Sequence, residues 1–274
     1  MKNWLIPPGI YNIIRSKVGT RKTQTYTDFI DAVKASHGYE DPNLVNIIDI
    51  KTQKYLESLQ TGNFGIIPNY RVLTLLKMVD IIINSNANRV KILDIGGQLG
   101  ILYYELNSLV SLDKSIDWLV YETENLVKVG NQKYINEELR FTSNIEDYQS
   151  EKFDIIVALN SLQYTDSPYQ LLNKIYTMEP NYIIFGRFPI INTLEEDKII
   201  IQKSKLSDNG PGTIKLESEK IIEYPVNLLS RKKILKEIEK YGKYSLILDI
   251  KENSIMYRFE NHEIKGVFQL YAMN

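Results

Sequence analysis

Apolar residues fall into two alternating arrangements along this chain. From residue 90 onward, short unbroken apolar runs alternate with stretches in which apolar residues recur three and four apart. That alternation predicts buried strands between amphipathic helices, and so a mostly parallel sheet covered on both faces. The runs lie at residues 90–95, 115–121, 139–142, 153–159 and 181–186, with helices predicted over 101–110, over 125–136 and from Ser167-Pro168 to Tyr176. Beyond residue 190 the pattern changes. Residues 197–204 and 220–224 read as paired strands joined by a loop rich in Ser207, Asp208, Asn209, Gly210, Pro211 and Gly212. A helix over 230–241, a strand over 245–250 and an end strand over 266–273 follow, with Asn261-His262-Glu263 in the turn before the last. Ahead of the sheet, helical spacing predicts a helix over 28–36 capped by Thr27, a longer one opening at Asp41-Pro42, and a third over 70–84. No linker separates these parts. The reading is one domain over residues 1–274, with a helical N-terminal cap (1–88) and a core (89–274) carrying a hairpin insertion near 190–228.

The first apolar run ends in an acid and then a glycine turn, Asp94-Ile95-Gly96-Gly97-Gln98-Leu99-Gly100. Glycines let a backbone pass close to a neighbour, and the first amides of the following helix are free donors, so such a turn suits a nucleotide-like ligand. It also suits an ordinary strand-to-helix connection. One βαβ unit later the second strand ends in Glu122, where doubly wound sheets place the carboxylate that accepts ribose hydroxyls. The spacing departs from the G-x-G-x-x-G of a dinucleotide site. Asp94 would repel a pyrophosphate, whereas an acid there suits a ligand bearing an ammonium and a sulfonium.

Composition narrows the classes. The net charge of −1 gives a nucleic-acid role no electrostatic support. With no cysteine, disulfides and thiolate chemistry are excluded, and with two histidines, His37 and His262, so is a histidine-rich metal centre. We expect a metal-independent protein. No signal peptide is visible, and the apolar stretch 66–83 is interrupted by Arg71, Lys77 and Asp80, so a cytoplasmic chain is expected. Before Asp28 the chain carries Lys2, Arg15, Lys17, Arg21 and Lys22 without an acid, which reads as a solvated basic arm or as a weak foothold on an anionic membrane surface or partner.

The turn, the strand-end Glu122 and the Asn160 segment resemble the motifs of class I S-adenosylmethionine-dependent methyltransferases. More narrowly, the chain is similar to a methyltransferase family encoded in bacterial surface-polysaccharide gene clusters. That similarity rests on Ser36-His37-Gly38-Tyr39, Tyr103-Tyr104, Trp118-Leu119-Val120-Tyr121-Glu122 with Gly130 beyond, Ser161-Leu162-Gln163-Tyr164, Arg187-Phe188-Pro189, residues 197–202 and Tyr224-Pro225. The resemblance implies a Rossmann-like α/β fold, with a seven-stranded, mostly parallel sheet whose last strand is antiparallel. It implies S-adenosyl-L-methionine held by Asp94, Gly96, Gly97, Gln98, Glu122, Thr123, Asn144, Ile145 and Asn160. It also implies a carbohydrate or phosphorylated carbohydrate acceptor, in capsule or lipopolysaccharide synthesis. Candidate acceptor-side groups are His37, Gln163, Tyr164, Arg187, Asp197 and Tyr224. Arg187 could grip a phosphate in a bidentate contact or pair with Glu195 or Glu196. Any one of 19 tyrosines is more often packing than catalysis. Two other classes stay open: a methyltransferase-like partner subunit without catalysis, and an NAD-dependent sugar-nucleotide enzyme, although the Tyr-x-x-x-Lys pair usual in the latter is missing at Tyr121 and Tyr164.

Overall fold

Strands buried on both faces must divide their side chains between two cores, and the period-two alternation does this residue by residue. In the computed structural model, which describes residues 24–36, 42–62, 67–192, 195–216, 218–260 and 262–274, strand β2 (Arg89–Ile95) sends Val90 and Ile92 to one core. Its Leu93 and Ile95 go to the other. Strands β3 (Ser115–Tyr121), β5 (Ile155–Leu159) and β6 (Tyr182–Phe188) divide in the same way. The first core is closed by helices α2 (Pro42–Gln60), α3 (Asn69–Asn84), α4 (Ile101–Leu109) and α5 (Glu124–Lys133), through Leu44, Leu75, Leu102 and Leu126 among others. The second is closed by α6 (Pro168–Thr177) and α7 (Arg231–Glu239).

The seven-stranded sheet has the order β10, β11, β6, β5, β2, β3, β4, where β4 is Leu139–Thr142, β10 is Tyr244–Phe259 and β11 is His262–Met273. The pairs β2·β3, β2·β5, β3·β4 and β5·β6 are parallel, while β11 runs antiparallel to both β6 and β10. This is the Rossmann-like arrangement expected above, antiparallel last strand included. The order reverses between β2 and β5, which opens a crevice beyond the carboxyl ends of the strands. A second sheet joins β1 (Thr25–Tyr26), β8 (Lys198–Lys205), β9 (Ile221–Ser230) and β7 (Ile190–Ile191). Its centre is the antiparallel β8·β9 hairpin, running from Lys198 opposite Leu228 to Lys205 opposite Ile221.

Three details differ from the sequence reading. Helix α1 (Phe29–Lys34) is capped by Asp28, not Thr27, because the Asp28 carboxylate accepts the amides of Ile30 at 2.7 Å and Asp31 at 3.2 Å. Its Ile30 and Val33 are exposed, and Ala32 is its buried residue. The last two strands form a longer hairpin than expected. Bulges between Leu246 and Leu248 and between Lys251 and Ile255 shift the register, which hides a single continuous ladder from a period-two reading. No helix among the described residues is long and apolar enough to cross a membrane. The basic arm ahead of residue 24 lies outside the described residues.

Candidate active site

A cavity of about 810 Å³ opens at the crevice. The core contributes Asp94 from the end of β2, Gly96, Gly97 and Gln98 after it, Glu122 and Thr123 after β3, Asn160 and Ser161 after β5, and Arg187 from β6. The cap adds Tyr70 and Arg71 from α3; the second sheet and its loop add Gln202, Tyr224 and Asp208; β10 adds Met256 and Tyr257. Three non-glycine residues with positive φ meet here, Gln98 (52°), Asn160 (56°) and Arg187 (52°). Asparagine tolerates that region, but glutamine and arginine enter it at a cost, so the surrounding packing holds the carboxyl ends of three strands in strained turns at one place.

The glycine turn is explained by protein packing before any ligand is considered. Gly96 has φ +72°, and a Cβ built on it would collide with the Cβ of Ser161. A Cβ on Gly97 would run into the Asp94 carboxylate. The glycines therefore let the Asn160-Ser161 loop close on the turn and let Asp94 tuck beneath it. Asp94 is 2% exposed, and its Oδ2 has no hydrogen-bond partner among the described residues. Burial pushes its carboxyl up to about 7, the charge of Glu122 adds to the rise, and the Trp118 indole opposes it. Burial likewise pushes Glu122 up to about 7, against the Thr123 amide that donates to Oε2 at 3.0 Å. Two carboxylates that resist ionisation thus face one cavity, an arrangement that favours a cationic ligand or hydroxyl donors.

The far wall is phenolic. The Tyr164 hydroxyl lies 3.0 Å from that of Tyr257 and donates to Gln202 Oε1 at 3.2 Å, and its ring meets Tyr224 edge-on at 5.4 Å. Tyr224 donates to Ser204 Oγ at 3.2 Å. The buried Asn227 amide ties β9 to the loop after β5 by donating to the carbonyls of Thr165 (2.7 Å) and Gln163 (3.2 Å), which sets the position of Tyr164. Burial raises Tyr224 and pushes Tyr257 up to about 12, so both stay protonated donors. Arg187 lies over the Tyr70 ring at 5.4 Å, and its Nε is buried without a hydrogen-bond partner among the described residues. It forms no ion pair among the described residues. Glu195 and Glu196 are taken by Lys232 and Lys233 instead.

Several expected site residues stand elsewhere. Asn144 turns its side chain to cap the short helix Ile145–Tyr148, accepting the Glu146 amide at 3.2 Å, and Ile145 packs into the second core; Ser143 lines the cavity in their stead. Gln163 is buried off the wall and donates to the Asn160 side chain at 2.8 Å. Asp197 faces a separate depression, where it accepts from the Tyr169 hydroxyl (3.0 Å) and the Ser230 amide (2.7 Å). Asp197 stands just before β8 and Asp208 in the short turn just after it, so the two acids lie at opposite ends of that strand, the first at the separate depression and the second on the wall of the large cavity. His37 lies outside the described residues. Sequence reasoning missed Tyr70, Arg71, Gln202, Asp208 and Tyr257 as site residues. For Arg71 a signal existed: it is a cation interrupting the apolar stretch 66–83, as Lys77 and Asp80 also do.

No protein-family model matches this chain, and neither does any curated protein. Solved structures resemble it distantly. One is an S-adenosylmethionine-dependent methyltransferase from Clostridium acetobutylicum, at 12% identity, with 82% of this chain and 99% of that one covered and a TM-score of 0.47. Another is a magnesium protoporphyrin IX methyltransferase from Synechocystis with bound S-adenosylmethionine, at 12% identity, 99% and 100% coverage and a TM-score of 0.43. A third is an S-adenosylmethionine-dependent methyltransferase from Mesorhizobium loti, at 9% identity, 76% and 100% coverage and a TM-score of 0.47. Likeness at this level decides no activity; the fold rests on the strand order itself.

Proposed function

We propose that this chain is an S-adenosylmethionine-dependent O-methyltransferase whose acceptor is a sugar or, better suited to the site, a phosphate or phosphoramidate group carried on one. The observation that carries the reading is the pair of carboxylates, the buried Asp94 and the half-buried Glu122, at the carboxyl ends of adjacent parallel strands, with Arg187 in the same cavity and in no ion pair among the described residues.

The residues present fit such a cofactor. Asp94 Oδ2, buried and unpartnered beneath the turn, is a built acceptor for a cationic group. Glu122, with two carboxylate oxygens, would accept both ribose hydroxyls beside Thr123. The backbone of Gly96, Gly97 and Gln98 would border the methionine portion, and the Asn160 carbonyl would face its ammonium. When bound, S-adenosylmethionine supplies a methyl group on sulfonium sulfur that passes in line to an acceptor oxygen, leaving a neutral thioether.

The chain's own work is then alignment and exclusion of water. Arg187 would hold the acceptor's anionic group, and Tyr164, Tyr224 and Tyr257, kept protonated, would donate hydrogen bonds around it. A phosphate-type oxygen is already anionic and needs no base. An alcohol would hand its proton to a base, and Asp208 is the carboxylate on that wall. On the strength of the sequence resemblance, the setting we propose is bacterial capsule or lipopolysaccharide synthesis.

Calorimetric titration with S-adenosylmethionine, S-adenosylhomocysteine and NAD tests the class. We expect binding of the first two and not of NAD. Glu122→Gln should weaken both by about 10- to 100-fold through loss of charge-assisted hydrogen bonds. Binding of NAD alone would overturn the reading.

A further inference from the structure

Glu105 on α4 is fully buried, one turn beyond the glycine loop. It accepts the Tyr55 hydroxyl at 2.6 Å, pairs with an Arg71 Nη at 3.3 Å, and leaves its Oε2 without a hydrogen-bond partner among the described residues. Arg71 lies over the Tyr55 ring at 5.9 Å, and its Nε is buried without a hydrogen-bond partner among the described residues. Its remaining exposure, 15% of the side chain, opens to the cavity. Three helices, α2, α3 and α4, thus each contribute one member of this group. A carboxylate taken out of water is costly unless it is paired, and here its partners are a phenol and a guanidinium whose other donors stay available.

Three cations line the cavity among the described residues. Lys203 is exposed and paired with Glu223, and Arg187 belongs to the end of β6 against Tyr70. Arg71 is the one tied to α4, the helix that leaves the glycine turn. We infer that Glu105 and Tyr55 are positioning residues that hold Arg71 as the receptor for the carboxylate of an amino-acid moiety bound at the turn, with Asp94 opposite for its ammonium. This rests on the cofactor reading above.

The test compares S-adenosylhomocysteine with 5′-methylthioadenosine, which keeps the nucleoside and thioether but lacks the amino-acid end. Binding of each is measured by calorimetry to the full chain and to Arg71→Lys, Glu105→Gln and Tyr55→Phe, with thermal unfolding of each variant. Arg71→Lys should weaken S-adenosylhomocysteine by about 10- to 100-fold, since a point charge replaces a planar fork, and leave methylthioadenosine within about twofold. Glu105→Gln and Tyr55→Phe should show the same selectivity with smaller losses. Should Glu105→Gln fail to fold, Arg71→Lys still decides, because it leaves the Tyr55–Glu105 bond intact. Equal losses for the two ligands, or none for S-adenosylhomocysteine, overturn the Arg71 assignment and leave the cofactor reading standing. Failure of the unaltered chain to bind either ligand overturns both.

Discussion

Replacing Asp94 by asparagine keeps the side chain's shape and removes a charge that the fold holds at a loss. In an unfolded chain this carboxyl has its ordinary value of 3.8, whereas in the fold it is pushed up to about 7. Between those values the folded state binds more protons than the unfolded one, so stability falls as pH rises through this window, and the penalty is complete above it. At about 1.4 kcal/mol per pH unit, the gap corresponds to a cost on the order of 4 kcal/mol at pH 8. The new amide leaves donors to satisfy in a buried place, at about 1–3 kcal/mol independent of pH. Asp94→Asn should therefore destabilise at pH 4 and stabilise modestly at pH 8. With about 2–4 °C per kcal/mol for a chain of this size, its Tm relative to the unaltered protein should climb by roughly 5–15 °C between the two pH values. Circular dichroism melts in matched buffers would measure this. A Tm difference that does not change with pH would refute the claim that Asp94 is ionised against the fold. The same variant should lose at least about tenfold in S-adenosylmethionine affinity, because the charge that costs stability is the one offered to the ligand.

Cofactor binding near pH 6.5 should release protons, since a cation beside Asp94 and hydroxyls on Glu122 both favour the ionised carboxylates; calorimetry in buffers of different ionisation enthalpy reads the number, and proton uptake would contradict it. Gly96→Ala must accept φ +72° and a collision with Ser161, and should lose about 2–4 kcal/mol in urea unfolding; a loss under about 0.5 kcal/mol would mean the turn is not as closely packed as it stands. Arg187→Met should raise KM for a phosphorylated acceptor by about 10- to 100-fold and leave S-adenosylhomocysteine binding unchanged. An equal loss of both would place Arg187 on the cofactor side.

The periodicity of the chain by itself determined the seven core strands, their pairing with helices and the mostly parallel sheet, because which face a residue takes within one element is a local property. It also determined the glycine turn, since the residues that permit it stand next to one another, and the strand-end Glu122. Only the tertiary structure decided what lies across from them. Asp197 and Asp208 are both acids of the insertion, and because they flank β8 at its opposite ends one reaches a separate depression and the other the cavity. The family resemblance implies that Asn144 and Ile145 border the ligand, whereas the local capping of a short helix turns one outward and the core takes the other. Arg71 reads in the sequence as a charge interrupting an apolar helix. It acquires a purpose only when Tyr55 and Glu105, 16 residues before and 34 after it in the chain, pack against it. Local spacing cannot carry that information, because side chains so far apart in sequence are brought together by helix packing over the sheet and not by the period of any one element.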